Sequence, residues 1–116
     1  MLIGCIVDGD VAYNRRVVRG VIDFAKCQPD WQIQILSPEH VARAHTLETK
    51  RFAGFIFATY TDYADIVRRR RIPAISLSND RPALPIPRVV TDDVQVGRQV
   101  AEHLLARGYR HFAFLG

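Results

Sequence analysis

Cysteine, lysine and long apolar runs are all scarce in this 116-residue sequence, and each shortage excludes a class of protein. The two cysteines, Cys5 and Cys27, show neither the C-x-x-C spacing of a redox motif nor a metal-ligand cluster, so they predict buried thiols in a reducing compartment. No apolar run approaches the roughly 18 residues of a membrane span. The composition, 48% hydrophobic and 24% charged, instead predicts one soluble globular domain.

Nearly all of the positive charge comes from arginine, since only Lys26 and Lys50 are lysines. The net charge of +4 is small and favours a solvated basic surface over a nucleic-acid partner. The densest basic run, Arg68 to Arg71, stands where a helix is predicted to end, and cations there complement the helix dipole. Contact with DNA is the alternative interpretation of that run.

Apolar periodicity predicts strands that alternate with helices along the whole chain. Ser37 and Asp92 are the predicted N-caps of two helices, and Gly108 is a predicted C-cap. The alternation indicates the fold class α/β, a doubly wound parallel sheet with helices on both faces. The predicted strands are 2–7, 31–36, 52–58, 74–77, 88–91 and 110–115, and the predicted helices are 13–26, 38–49, 61–70 and 92–107.

In a doubly wound sheet, ligands bind outside the carboxyl ends of the strands. The loops predicted at that edge are 8–12, 37, 58–61, 78–80 and 92–93. The chain ends at Gly116, directly after the last predicted strand, so we expect it to be part of a longer protein.

Neither a G-x-G-x-x-G turn nor a G-x-x-x-x-G-K-[ST] loop occurs, which disfavours dinucleotide and P-loop nucleotide binding. Asp8-Gly9-Asp10 after the first strand, with Asp92-Asp93 after a later one, is similar to Mg²⁺-dependent phosphatases of the haloacid dehalogenase superfamily. Position 12 departs from that motif, because it is Ala12 rather than Thr or Val. No lysine lies between Thr59 and the later acids to balance phosphate charge. The phosphatase stays the enzymatic alternative.

Several blocks of the sequence resemble the sugar-sensing part of xylose operon regulators. The Tyr13-x-Arg15 block directly after the first strand points to that branch. The last blocks are shared more broadly with lac-repressor-type regulators and periplasmic sugar-binding proteins. The blocks are Ala12-Tyr13-Asn14-Arg15, Val17-Val18-Arg19-Gly20-Val21, Ala53-Gly54-Phe55-Ile56, Ile72-Pro73-Ala74-Ile75, Val90-Thr91-Asp92-Asp93, Ala101-Glu102-His103-Leu104-Leu105 and 108–116.

The resemblance implies a periplasmic-binding-protein-like (type I) fold of two lobes, with a sugar, expected to be a pentose such as xylose, bound between them. Residues 1–116 would then be the N-terminal lobe. The second lobe and an AraC-type helix-turn-helix domain that binds DNA would lie outside this chain. The resemblance also implies a cytoplasmic homodimer with no enzyme activity, no cofactor and no membrane contact. A free-standing sugar-binding protein is a further alternative.

Carried over by position, the resemblance places ligand-binding residues in two loops. Carboxylate and amide groups suit a sugar's hydroxyls, and a tyrosine ring covers an apolar sugar face. Arg15 has a second interpretation, in which it holds its own loop by pairing with Asp8 or Asp10. No metal site is predicted. The implied ligand residues are Asp8, Asp10, Tyr13, Asn14 and Arg15 after the first strand, and Ser78, Asn79 and Asp80 after the fourth.

Overall fold

The computed structural model of the chain describes residues 1–43, 51–59, 63–79, 83–113 and 115. Strands and helices alternate through these residues, which confirms the predicted α/β class. None of the helices in the described ranges is long and apolar enough to cross a membrane. The elements are β1 (Leu2–Ile6), α1 (Ala12–Ala25), β2 (Gln32–Leu36), α2 (Pro38–Arg43), β3 (Gly54–Phe57), α3 (Tyr63–Arg69), β4 (Ala74–Ser76) and α4 (Asp93–Ala106).

The four strands form one parallel sheet in the order β2-β1-β3-β4. β1 is central, and its Cys5 lies opposite Ile35 of β2 and Ile56 of β3. β2 stands at an edge, as its alternating apolar and polar residues predict. At the other edge, the predicted strand 88–91 is reduced to a single bridge between Ser76 and Arg88. The bridge consists of two hydrogen bonds of 2.9 Å, from the N–H of Ser76 to the carbonyl oxygen of Pro87 and from the N–H of Val89 to the carbonyl oxygen of Ser76.

Two apolar cores lie on opposite faces of the sheet. The smaller core contains Cys5, Val7 and Ala58, and Val17 and Val18 of α1 pack against it. The larger core joins the strands to α2 and α3. α1 therefore covers one face while α2 and α3 cover the other, which is the doubly wound arrangement. The buried members of the larger core are Ile6, Leu36, Val41, Phe52, Phe55, Phe57, Ala64, Val67 and Ile86.

Gly4 in β1 lies under the aromatic rings of the larger core. A Cβ atom at this position would stand 2.5 Å from Cε1 of Phe55 and 3.2 Å from Cδ1 of Phe52. The centroids of these two rings are 4.8 Å apart, and Phe55 is only 2% exposed, so its ring has little room to move. The missing side chain at Gly4 is what lets the rings close over the central strand.

The predicted helix caps are present. The backbone N–H of His40 donates to Oγ of Ser37 over 3.1 Å, and the N–H of Gln95 donates to Oδ1 of Asp92 over 2.9 Å. Gly108 follows α4 with a φ of 85°, in the left-handed region that glycine adopts most easily. These three residues fix where α2 begins and where α4 begins and ends.

α4 differs from the prediction, because it extends beyond the sheet instead of covering it. None of its residues is buried, and Val94 and Val100 are 77% and 56% exposed. The radius of gyration of 17.5 Å shows the same extension, since a compact domain of this length has roughly 13 Å. The predicted strand 110–115 is also not found in the described residues 110–113. A strand needs a neighbouring edge to pair with, and α4 carries these residues away from the sheet.

We expect Gly4→Ala to destabilise the chain by about 1–3 kcal/mol, because the added methyl group overpacks the larger core. Gly20→Ala is the matched control, since a Cβ there meets nothing within 4 Å on the exposed side of α1. It should stabilise α1 by up to about 1 kcal/mol. Urea unfolding followed by circular dichroism measures both changes. A stabilised Gly4→Ala variant would contradict the packing described here.

The two thiols should differ in reactivity and in their effect on stability. Cys5 is buried as predicted, but the prediction is wrong for Cys27, which is exposed just after α1. Burial raises the pKa of the Cys5 thiol from an ordinary value of 9.0 to about 11. Because the unfolded chain loses this proton first, the contribution of the Cys5 thiol to stability should be constant below pH 9 and fall between pH 9 and 11. The fall is about 1.4 kcal/mol per pH unit at most.

Urea unfolding at several pH values tests this, with Cys5→Ala as the variant in which this contribution disappears. At pH 8 a chromogenic disulfide reagent should modify Cys27 at once and Cys5 only on unfolding. Equal rates for the two thiols in the folded chain would show that Cys5 is accessible.

Candidate functional site

A cavity of about 390 Å³ opens at the carboxyl edge of the sheet. Its volume falls in the range of roughly 300–1,000 Å³ that is usual for small-molecule sites. The loops after β1, β3 and β4 meet here, at the edge where the sequence analysis expects a ligand. The lining residues are Val11, Tyr13, Asn14, Ala58, Thr59, Leu77, Ser78, Asn79, Val90, Thr91 and Asp93.

Asn14 is the polar residue most deeply placed in this cavity. It is 4% exposed, and its Nδ2 donates to the backbone oxygen of Asp8 over 3.0 Å. Within the described residues its Oδ1 accepts no hydrogen bond. A buried amide oxygen without a donor costs free energy, so this atom is well suited to accept a hydrogen bond from a ligand.

The loop between β1 and α1 is held by its own hydrogen bonds. Nη1 of Arg15 donates to the backbone oxygens of Gly9 and Asp10, each over 3.0 Å. Oδ1 of Asp8 accepts from the N–H of Asp10 over 3.0 Å. The structure thus supports the anchoring interpretation of Arg15, although its partners are carbonyl groups rather than the two carboxylates that the sequence suggested.

The loop after β4 is fixed by Ser76. Its Oγ accepts from the N–H of Ser78 over 3.2 Å and lies 3.3 Å from the Ser78 carbonyl oxygen, to which it donates. This compact turn brings Ser78 and Asn79 to the cavity. Because its hydroxyl is engaged inside the turn, Ser76 acts on the site by positioning these two residues.

The segment that leads into α4 closes another side of the cavity. Oγ1 of Thr91 donates to Oδ1 of Asp93 over 2.6 Å, and both residues line the cavity. Asp92, between them, caps α4 through Gln95 and does not line it. The direction of α4 and this wall of the cavity are therefore set by the same short segment.

Half of the predicted ligand residues reach the cavity, namely Tyr13, Asn14, Ser78 and Asn79. Asp8 and Asp10 in the loop after β1, and Arg15 in the first turn of α1, are close to the cavity in sequence but do not line it, so a ligand role for them stays a prediction. Asp80 lies outside the described residues.

Thr59, Thr91 and Asp93 also line the cavity, although the resemblance places no ligand residue at these positions. A signal for them was present, because Thr59 follows β3 and the other two follow the predicted strand 88–91. Choosing among the residues of those loops required side-chain directions, which the strand-end rule does not give.

The chemistry of the cavity suits an uncharged ligand with many hydroxyl groups. Its polar lining consists of hydroxyl and amide groups and one carboxylate, with no lysine, arginine or histidine among the described lining residues. Hydroxyls and amides both donate and accept hydrogen bonds, as a sugar requires, and Tyr13 adds a ring that is 45% exposed. The described part of the chain holds no group of three or more side chains placed to bind a metal ion.

Comparison with known proteins gives two matches. The family model of periplasmic binding proteins and the sugar-binding domain of the LacI family matches residues 31–116. The HTH-type transcriptional regulator DegA of Bacillus subtilis (strain 168) is 33% identical in an alignment of 94 residues, and this alignment covers 72% of this chain and 28% of that protein. The chain thus spans less than a third of this relative's length. No solved structure matches the chain significantly.

The matched family consists of binding proteins and sugar-binding domains. The prediction that this domain is not an enzyme is confirmed by this match, and the phosphatase alternative is left without support. The type I periplasmic-binding-protein-like architecture that the resemblance implied is confirmed by the same match.

We expect Arg15→Ala to loosen the loop between β1 and α1, because two charge-assisted hydrogen bonds to Gly9 and Asp10 are lost. The exposed position limits the loss in global stability to about 1 kcal/mol. Amide hydrogen exchange should become several-fold faster in residues 8–11. Arg16→Ala, which removes the neighbouring exposed arginine, should leave that exchange unchanged. Equal effects of the two variants would exclude an anchoring role for Arg15.

Proposed function

This chain belongs to the family of periplasmic binding proteins and LacI-type sugar-binding domains, and from that premise we propose that it senses a sugar for a transcription regulator. The similarity to an HTH-type transcriptional regulator favours this role over that of a free-standing sugar-binding protein. Sugar bound at the cavity would control DNA binding by a helix-turn-helix domain outside this chain. A regulator of this kind works in the cytoplasm.

The cavity at the carboxyl edge is the observation that carries the proposal. Asn14 offers a buried amide oxygen, and Ser78 and Asn79 are held opposite it by the Ser76 turn. These groups supply directed donors and acceptors without a net positive charge, which matches a neutral sugar better than a sugar phosphate. Asp8, Asp10, Arg15 and Asp80 are proposed to complete the site when the ligand is bound.

The exposed face of α4 supports a second lobe as part of the proposal. An apolar helix face of this kind is unusual in a protein that is complete by itself. In our proposal residues 1–116 provide the N-terminal lobe, a second lobe packs against α4, and the sugar lies between the two. The relative, more than three times as long as the matched segment, leaves room for such a lobe.

The identity of the sugar and the type of DNA-binding domain are proposed from the Tyr13-x-Arg15 block. We propose a pentose, xylose or a close analogue, as the ligand, and an AraC-type helix-turn-helix domain as the DNA-binding part. We also propose a homodimer. Phe24 and Ile35, which are 56% and 45% exposed near the free edge of β2, give a second copy an apolar surface to contact.

Titration of the ¹⁵N-labelled chain with D-xylose, followed by amide chemical shifts, tests the site. With one lobe present, the dissociation constant should exceed about 1 mM, so the titration must reach about 100 mM. The shifts should concentrate on Asn14, Ser78 and Asn79. Asn79→Ala should weaken binding several-fold, because it removes one donor and one acceptor. Gln34→Ala, an exposed amide on β2, is the matched control and should have no effect.

Two results would contradict the proposal in different ways. Shifts that avoid the cavity, or binding that survives in Asn79→Ala unchanged, would remove the cavity as the sugar site. Micromolar affinity of this chain alone would contradict a site that is shared between two lobes.

A further inference from the structure

A group of exposed arginines lies at the amino edge of the sheet, opposite the cavity. Arg68 and Arg69 end α3, and Arg70 and Arg71 follow it in the turn before β4; all four are exposed. Arg51 is exposed just before β3. The two segments are neighbours, because the N–H of Phe55 in β3 donates to the carbonyl oxygen of Pro73 over 2.9 Å. We call Arg51 together with Arg68 to Arg71 the amino-edge cluster. Its position does not depend on the sugar site.

The amino-edge cluster carries more positive charge than is needed to balance the dipole at the C-terminus of α3. A helix dipole amounts to about half a charge, which one or two cations satisfy. Arg68 lies 3.6 Å from Asp65 within α3. Arg51, Arg69 and Arg71 have no carboxylate within salt-bridge distance in the described part of the chain. Their mutual repulsion is a cost that an anionic partner would remove.

Arg71 closes the turn that ends α3. The N–H of Ile72 donates to the carbonyl oxygen of Val67 over 3.1 Å, and the N–H of Arg71 donates to that of Arg68 over 3.0 Å. Arg71 has a φ of 56°, the one positive value at a non-glycine position among the described residues. An L-residue in this region costs roughly 1–2 kcal/mol, which glycine would avoid. The turn that results places the Arg71 side chain at the same edge as Arg69.

The side chains around the amino-edge cluster favour a nucleic-acid partner over a protein partner. A protein partner needs an apolar centre that is dehydrated on binding. No large hydrophobic side chain is exposed in the described residues 51–59 and 63–79, where the cluster lies. Met1, which precedes the adjacent strand β1 at the same edge, is 55% exposed, but one methionine does not form such a centre. A phosphate backbone needs only cations, and arginine binds it with two parallel hydrogen bonds.

We propose that the amino-edge cluster binds the phosphate backbone of duplex DNA, without reading its sequence. The sensing domain would thereby add contacts of its own to those of a separate DNA-binding domain. This inference does not require the sugar assignment, so failure of the xylose titration leaves it standing.

Fluorescence anisotropy with a labelled duplex of arbitrary sequence tests the proposal on the 116-residue chain. We compare wild type with Arg69→Gln/Arg71→Asn, in which asparagine tolerates the left-handed backbone. The matched control is Arg16→Gln/Arg19→Gln, which removes the same charge from exposed positions in the first half of α1. Circular dichroism verifies that each variant is folded.

The cluster variant should bind at least fivefold more weakly than wild type at about 50 mM NaCl, and the control less than twofold more weakly. Between about 50 and 200 mM NaCl, the log–log salt slope should become shallower by about 2, since each lost phosphate contact accounts for about 0.9.

Three results would overturn the proposal. The first is no detectable binding by the wild-type chain at the lowest salt, and the second is an equal loss in both variants. The third is displacement of the duplex by polyglutamate at the same charge concentration as by unlabelled DNA, which would indicate a surface for any polyanion.

Discussion

The cavity and the amino-edge cluster lie at opposite edges of the sheet, and both depend on the parallel pairing of β1 with β2 on one side and β3 on the other. Because parallel strands finish at the same edge, the loops after β1, β3 and β4 meet and form the cavity there. The segments that precede β3 and β4 meet at the opposite edge for the same reason, and they bring the arginines of the amino-edge cluster together. A slip of one residue in this pairing would exchange the cores into which Cys5 and Ile6 point. Packing of the rings over Gly4 opposes such a slip.

The elements nearest this central pairing are those that the sequence predicts best. Apolar runs and alternation locate β1, β2 and β3 within one or two residues, since burial on one or both faces leaves a direct pattern in the residue types. Ser37, Asp92 and Gly108 mark helix ends because capping is local chemistry. The segments 88–91 and 110–115 have strand-like patterns too, but the described residues form only a bridge at Arg88. A strand-like residue pattern indicates that a segment is able to pair in a sheet. It does not indicate whether the fold places a free sheet edge next to that segment.

The sequence likewise predicts some features of the candidate site and not others. Its place at the carboxyl edge follows from topology alone, and four of the eight predicted residues reach the cavity. Asp80 lies outside the described residues. The side chains of Asp8 and Arg15 are engaged by short-range hydrogen bonds. The carboxylate of Asp8 accepts from the N–H of Asp10, and the guanidinium of Arg15 donates to two carbonyl groups of the loop that precedes α1. Residue types at this spacing are compatible with either direction, so the choice depends on backbone geometry that the sequence does not display.

The segment 91–93 links the cavity to α4, the helix that extends beyond the sheet. Thr91 and Asp93 line the cavity, bond to each other over 2.6 Å and stand on either side of the residue that caps α4. A ligand that contacts Thr91 or Asp93 therefore acts on the residues that set the direction of α4. In the regulator proposed above, a second lobe packed on α4 would follow that direction, and a sugar could shift its position only by binding one arrangement more tightly than the other. The segment 91–93 thus forms part of the cavity wall and also begins α4.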